Sequence, residues 1–477
     1  MRISFVNVSS MPEFNIGLAY LISAVENSGH DPKLIDLVFA PKNYIKYAID
    51  EIRKQQPDVV GFSVFTSNYL ENLQLAKKIK KEFPDLPIIF GGIHPSILPE
   101  ETISNPQVDA ICIGEGEESL PQFLDMLENG KYKSHINGIW NKTKNGKVIK
   151  NPLRPFIQNL NSLPFPNWDY WNIKEYLKFT FLYVSTSRGC PYDCSFCTNK
   201  TLSKCGLGKY LRIRSAESVI EEIRRDEEKY KKIGVKTINF SDPSFGINKK
   251  QFNEFITLYK KENLDLSWMC ATRADVITEE WAKKAASTNC ILVEIGLETG
   301  DKEARFEICN KKITNEQFET CAKNLKKYGI PFNFNMIIGL PNDTKNKILK
   351  SLKFAESLEP TYIGIMIYLP LPQTKLGDFC IKNEMINDKS IYYGLPHLEI
   401  KGLSRLELNT VFLKLQINEL KKYLMKNFYN FNSCFFNVLI KNLLDISLRK
   451  IKNPKASVYF DRITVKISES LHERNSI

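Results

Sequence analysis

The chain has 477 residues, of which 43% are hydrophobic and 25% charged, with 23 Gly and 23 Pro; this composition excludes global disorder and a fibrous or low-complexity protein. At about 150 residues per domain, the length suggests roughly three domains. The balance of 66 Lys+Arg over 54 Asp+Glu gives +12, and residues 401–477, with fourteen basic and six acidic side chains, hold +8 of it, which points to a solvated helical surface rather than a nucleic-acid groove.

No apolar stretch approaches the roughly 18 residues that span a bilayer, and Pro12 and Glu13 interrupt the start before a signal-peptide core develops. Eleven cysteines are sparse for a disulfide scaffold, and an odd number leaves one unpaired. A soluble, unexported, cytoplasmic protein with no integral membrane segment is the expectation.

From the start to residue 130 the runs ISFVNV, PKLIDLV, VVGFSVF, PIIFGG and AICIG alternate with helical patterns such as IGLAYLISAVENSG. Such alternation predicts an α/β, doubly wound, Rossmann-like domain over 1–130. Gly91, Gly92, Gly114 and Gly116 follow strands, at the edge where such sheets take ligands. No G-x-G-x-x-G opens the first helix, which argues against a dinucleotide. Residues 131–178, rich in Pro, Asn and aromatics, read as a linker with a hairpin. Over 179–378 the runs FLYVSTS, TINFSD, LSWMCAT, ILVEIGLE, FNFNMIIG and TYIGIMIYL alternate with amphipathic helices, as in a partial (β/α)6 TIM-like barrel. Residues 379–477 read as a mainly helical region; an amphipathic helix within 403–431 is expected to pack on the barrel, and 452–467 reads as a short hairpin.

The run RGCPYDCSFC ends the first strand of that second unit and spaces Cys190, Cys194 and Cys197 as C-x3-C-x2-C. Three thiolates this close can converge on one metal centre. A structural zinc site would close its tetrahedron with a fourth Cys or His, and no second C-x2-C pair is present, although Cys205 is near. Three thiolates on an iron-sulfur cubane would leave one iron open for chemistry. Simple core packing suits the scattered Cys270, Cys290, Cys309 and Cys321 better than three cysteines in one Gly- and Pro-bounded loop.

With Phe196 before the last cysteine, this motif resembles the signature of the radical S-adenosylmethionine (radical SAM) superfamily, and 1–375 is similar to its cobalamin-binding-domain subfamily. The resemblance implies a 4Fe-4S cluster on Cys190, Cys194 and Cys197, with SAM on the open iron. It also implies SAM contacts from Phe196, Asp242 (in FSDPSF), Arg273 (CATRAD), Glu298 (EIGLETG) and Gly339 (IIGLPND). It further implies a corrinoid on Ser63, Thr66, Gly91, Gly92, His94, Gly114 and Glu115, where small residues let a flat macrocycle approach backbone. His30 reads as a turn residue. Neither histidine sits in D-x-H-x-x-G, so the resemblance implies a cobalt with no histidine ligand below.

The activity implied is SAM cleavage to a 5′-deoxyadenosyl radical, used to methylate an unactivated carbon or a phosphinate phosphorus of a small molecule, with a flavodoxin or ferredoxin as electron donor. The alternatives are a cyclase, oxidase or rearranging enzyme without methyl transfer, and a non-catalytic iron-sulfur electron-transfer protein. A methylthiotransferase would need three further cluster cysteines in the first domain, where Cys112 stands alone.

Overall fold

A computed structural model describes residues 1–9, 12–130, 135–143, 145–386, 398, 400 and 402–426. Two sheets organise it. The first contains β1 (Arg2–Asn7), β2 (Asp31–Asp36), β3 (Val59–Ser63), β4 (Ile88–Gly91), β5 (Ala110–Cys112), β6 (Ile139–Lys142) and β7 (Val148–Lys150) in the order 2-1-3-4-5-6-7. The first five are parallel, and their apolar runs are buried because helices cover both faces. The order reverses between β1 and β3, so a switch point opens at the C-terminal strand edge.

The hairpin read from 131–178 is β6 and β7, and it does not sit in a free linker. It pairs antiparallel with β5, at Ala110↔Asn141 and Cys112↔Ile139, and extends the first sheet. Strand β5 has three residues, and an uncovered edge there would leave backbone groups unpaired.

The cluster loop follows β8 (Leu182–Val184) and β9 (Ser187–Arg188), the latter paired with β10 (Arg212–Ile213) in a two-stranded ribbon. The strands β11 (Thr237–Phe240), β12 (Ser267–Thr272), β13 (Cys290–Glu298), β14 (Phe332–Ile338) and β15 (Tyr362–Ile367) join β8 in an all-parallel sheet ordered 15-14-13-12-11-8. The intervening helices start on polar caps, such as Asn248 receiving Gln251 N, and Thr314 in a reciprocal box with Gln317. Because every crossover returns the chain in the same sense, all six C-terminal strand ends share one mouth.

The last strand of this arc is covered by the helix Arg405–Lys426, which buries Leu408, Val411, Phe412 and Leu415. Gln416 Nε2 donates to Ile365 O at 2.9 Å, and Glu419 Oε2 accepts from Ile363 N at 3.3 Å. The expected amphipathic helix therefore meets the edge of β15 with both an apolar stripe and two polar side chains. The hairpin read at 452–467 lies outside the described residues. Among them, no helix is long and apolar enough to cross a membrane.

The two sheets share one apolar core, in which Phe14, Leu18 and Ile22 of the first unit pack with Trp168, Tyr176 and Phe240. Tyr176 OH also donates to Asp36 at 2.7 Å. The strand edge of the first sheet thus faces the mouth of the second.

Candidate active site

Cys190, Cys194 and Cys197 are partly exposed, whereas the other described cysteines, Cys112, Cys205, Cys270, Cys290, Cys309, Cys321 and Cys380, are buried. Zinc holds thiolates at about 2.3 Å, which sets tetrahedral sulfurs about 3.8 Å apart. The only trio of metal-ligating side chains within 4.8 Å of one another among the described residues is His30, Asp125 and Glu128, so the three loop sulfurs spread wider than one ion spans. Three thiolates with no fourth cysteine or histidine in the loop are the donor set of a cubane with one iron left open. Burial pushes the Cys194 thiol up to about 11, against the pull of Lys311 and Arg273.

The loop is clamped from several sides. Ser195 N donates to Cys309 O at 3.0 Å, Leu376 N to Ser195 O at 2.9 Å and Asn310 Nδ2 to Asp193 O at 2.6 Å. Gly189 has φ +87°, and a Cβ there would lie 2.3 Å from Tyr210 O. Gly189→Ala is therefore expected to push Cys190 out of place and cut the iron retained after reconstitution severalfold, measured against Gly329→Ala, where open space surrounds a similarly left-handed residue.

Asp242 lies beneath this loop. Its carboxylate accepts from Thr186 N at 2.9 Å, Thr186 Oγ1 at 2.7 Å and Ser187 Oγ. Three of its roughly four acceptor positions are thus spent on holding the approach to the cysteines. In the structure Asp242 braces the approach to the cysteines. Arg273 braces the loop too: its guanidinium sits 3.5 Å from the centroid of Tyr192, between Cys190 and Cys194, and pairs with Asp275 at 2.9 Å. Phe196 is partly buried against the core.

Glu298 ends β13 in a left-handed conformation, φ +63°, and its Oε1 receives Lys311 Nζ at 2.7 Å. Lys311 also donates to Gly296 O at 2.5 Å, and both side chains are buried. Strain at a non-glycine residue persists where the surroundings over-determine it, commonly at ligand sites. The sequence reading missed Lys311, because nothing in NKKIT separates it from exposed Lys312.

The Gly339 turn is held by Asp343, whose Oδ2 accepts from Gly339 N at 2.8 Å and Leu340 N at 3.0 Å. Burial pushes the Asp343 carboxyl up to about 6. A raised acid contributes stability below its unfolded pKa, near 4, and that contribution is lost as pH rises through the folded value. Asp343→Asn keeps the acceptor and cannot ionise. Wild type is expected to lose about 2–3 kcal/mol relative to the variant between pH 4 and pH 7, seen as converging or crossing urea midpoints.

Between the strand edge and the barrel mouth lies a cavity of about 390 Å³. Ser63, Gly91, Gly92, Gly114 and Glu115 line it from one side, and Ser185, Ser187, Arg188 and Gly189 from the other. Gly92 has φ +97°, and a Cβ there would meet Val64 N and O at 2.9 Å, so only glycine fits this turn at the strand edge. Two expected corrinoid contacts, Thr66 and His94, are not in this wall. His94 is buried, stacked on Tyr69 at 3.7 Å, and burial lowers its pKa to about 4. Among the described residues, none that lines the cavity is a histidine. His30 is buried between the Met1 amine, 3.2 Å away, and Asp125 at 3.3 Å.

The family model described as Radical SAM superfamily matches residues 184–355, and that of the B12 binding domain matches 5–124. An uncharacterized methyltransferase of Pyrococcus horikoshii is 32% identical over 439 residues, covering 90% of this chain and 93% of its own. The chain belongs to the cobalamin-dependent radical SAM family.

The anaerobic magnesium-protoporphyrin IX monomethyl ester cyclase of Rubrivivax gelatinosus is 27% identical, over 82% of this chain and 71% of its own. The solved structure of the cobalamin-dependent radical SAM enzyme OxsB, with aqua-cobalamin and SAM bound, shares the fold at TM-score 0.70 and 20% identity, covering 98% of this chain and 72% of that one. This radical SAM protein is an enzyme whose cofactors are SAM, a 4Fe-4S cluster and cobalamin. Three thiols in one loop, and a cavity edge of Ser63, Gly91, Gly92 and Gly114 that carries little side chain, fit these groups.

Proposed function

We propose that this radical SAM enzyme methylates an unactivated carbon or a phosphinate phosphorus of a small-molecule substrate held between the barrel mouth and the corrinoid-binding edge. The observation that carries this reading is that the cluster loop, through Ser187, Arg188 and Gly189, and the glycine-lined strand edge share one cavity. When bound, the cluster and SAM supply a hydrogen-abstracting 5′-deoxyadenosyl radical, and the corrinoid supplies a methyl group.

The chain's own residues bind, orient and exclude water. Cys190, Cys194 and Cys197 hold the cluster. Asp242 and Arg273 fix their loop. Glu298, held by Lys311, presents an acceptor at the SAM site, and the Gly339 turn, held by Asp343, forms the adenine side. Ser63, Gly91, Gly92, Gly114 and Glu115 shape the corrinoid edge. A flavodoxin or ferredoxin in the cytoplasm would deliver the electron.

The test is anaerobic purification followed by joint iron, sulfide and cobalt analysis, then reduction with SAM. Iron with cobalt, and 5′-deoxyadenosine on reduction, is the expected result. Iron without cobalt rules out methyl transfer through a corrinoid, and a reconstituted cluster that cleaves no SAM favours an electron-transfer protein.

A further inference from the structure

The loop after β5 reads Gly114-Glu115-Gly116-Glu117, and both carboxylates cross the cavity to the ribbon that carries the cluster loop. Arg188, two residues before Cys190, donates Nη1 to Glu115 Oε1 at 3.1 Å and Nη2 to Glu117 Oε1 at 2.6 Å. Its guanidinium also lies 4.9 Å from the ring centroid of Tyr20, on the first helix. Arg212, the ribbon partner of Arg188, gives Nη1 to both oxygens of Glu115 at 2.8 and 2.7 Å. Burial opposes ionisation of Glu115, but Arg212 and Arg188 overcome it and hold its carboxyl below the usual range. Two cations and two anions therefore close a largely buried network with no net charge.

A network of this kind is a poor way to gain stability, since desolvation consumes most of the attraction. Its geometry is what it specifies: a planar guanidinium forked onto two carboxylates fixes both distance and angle. We propose that Arg188 is a positioning residue, which with Glu115 and Glu117 locks the corrinoid-binding edge to the cluster loop and sets their separation. This rests on the proposed function for its meaning, because transfer between two cofactors tolerates little misplacement; about 1 Å costs on the order of 10²-fold.

The test compares full-length, cluster-loaded wild type with Arg188→Gln, Arg188→Lys, Glu117→Gln and the Arg188→Gln/Glu117→Gln pair. Hydrogen exchange is followed at 113–118 and 186–190. Each Gln variant should speed exchange in both segments by about tenfold or more, the worth of a charge-assisted hydrogen bond, and the double variant should add little. Arg188→Lys should recover only part, since an ammonium is a point donor that cannot fork. If Arg188→Gln does not fold, Glu117→Gln, which keeps shape and volume, decides. A second readout uses hydroxocobalamin: after reduction, the magnetic interaction between cob(II)alamin and the reduced cluster should weaken in the Gln variants at unchanged iron content. Faster exchange confined to the mutated loop, or an unaltered magnetic interaction, overturns the proposal. If wild type takes up no hydroxocobalamin, the corrinoid reading fails, while the exchange measurements still decide whether the lock exists.

Discussion

Replacing Cys190, Cys194 or Cys197 by alanine is expected to cut the iron retained after anaerobic reconstitution by about an order of magnitude, and reductive SAM cleavage by roughly 10³-fold or more, because the cofactor carries the chemistry. In the proposed function each cysteine supplies one of three protein ligands. The clamps on the loop, from Cys309 O, Leu376 N and Asn310, stay in place when a thiol is removed, so the fold should survive with its melting temperature little changed. Cys321→Ala gives the matched control. That side chain is fully buried in the core, so its loss should cost about 1 kcal/mol of stability and no iron. Equal iron loss in both kinds of variant would mean that the metal is held elsewhere.

The fold was legible wherever period and punctuation agreed. Six apolar runs spaced by helical segments gave six parallel strands, and the first five runs gave the doubly wound order. The stretch 131–178 reads as a hairpin and connector, but the attachment of that hairpin to β5 depends on a non-local pairing that no local pattern encodes. At the site, the cysteines stood out because spacing alone restricts what three thiols can do.

The supporting residues were harder to read. The motif FSDPSF marks Asp242, but not that its carboxylate turns onto Thr186 and Ser187, a direction set by tertiary packing. His94 follows two glycines on the ligand edge, yet its ring turns inward onto Tyr69. Arg188 and Glu117 carry no local signal, because an ion pair joining two sheets is invisible until both are folded. The chemistry of ligation is written locally, whereas the direction a supporting side chain takes is decided by distant neighbours.

Lys311 and Glu298 allow stability and cofactor binding to be separated. Their ion pair, 2.7 Å long, has side chains 6% and 11% exposed, so neither charge has water to fall back on. Lys311→Met should destabilise the protein by about 3–5 kcal/mol, because it strands the Glu298 carboxylate. Glu298→Gln strands the lysine and should cost less, since Gly296 O still accepts from Lys311 Nζ. The double variant Lys311→Met/Glu298→Gln removes both charges and should return most of the lost stability, as replacement of a buried pair by uncharged side chains commonly does. SAM binding should not return with it. Glu298 ends its strand at φ +63°, at the mouth where the cysteines sit, and a neutral amide there lacks the anionic acceptor that a hydroxyl or ammonium of SAM would meet. Chemical denaturation and equilibrium dialysis of SAM on the same four proteins would measure the two quantities side by side. Recovery of SAM affinity together with stability would reduce Glu298 to a structural partner of Lys311; recovery of stability alone would assign it to the cofactor.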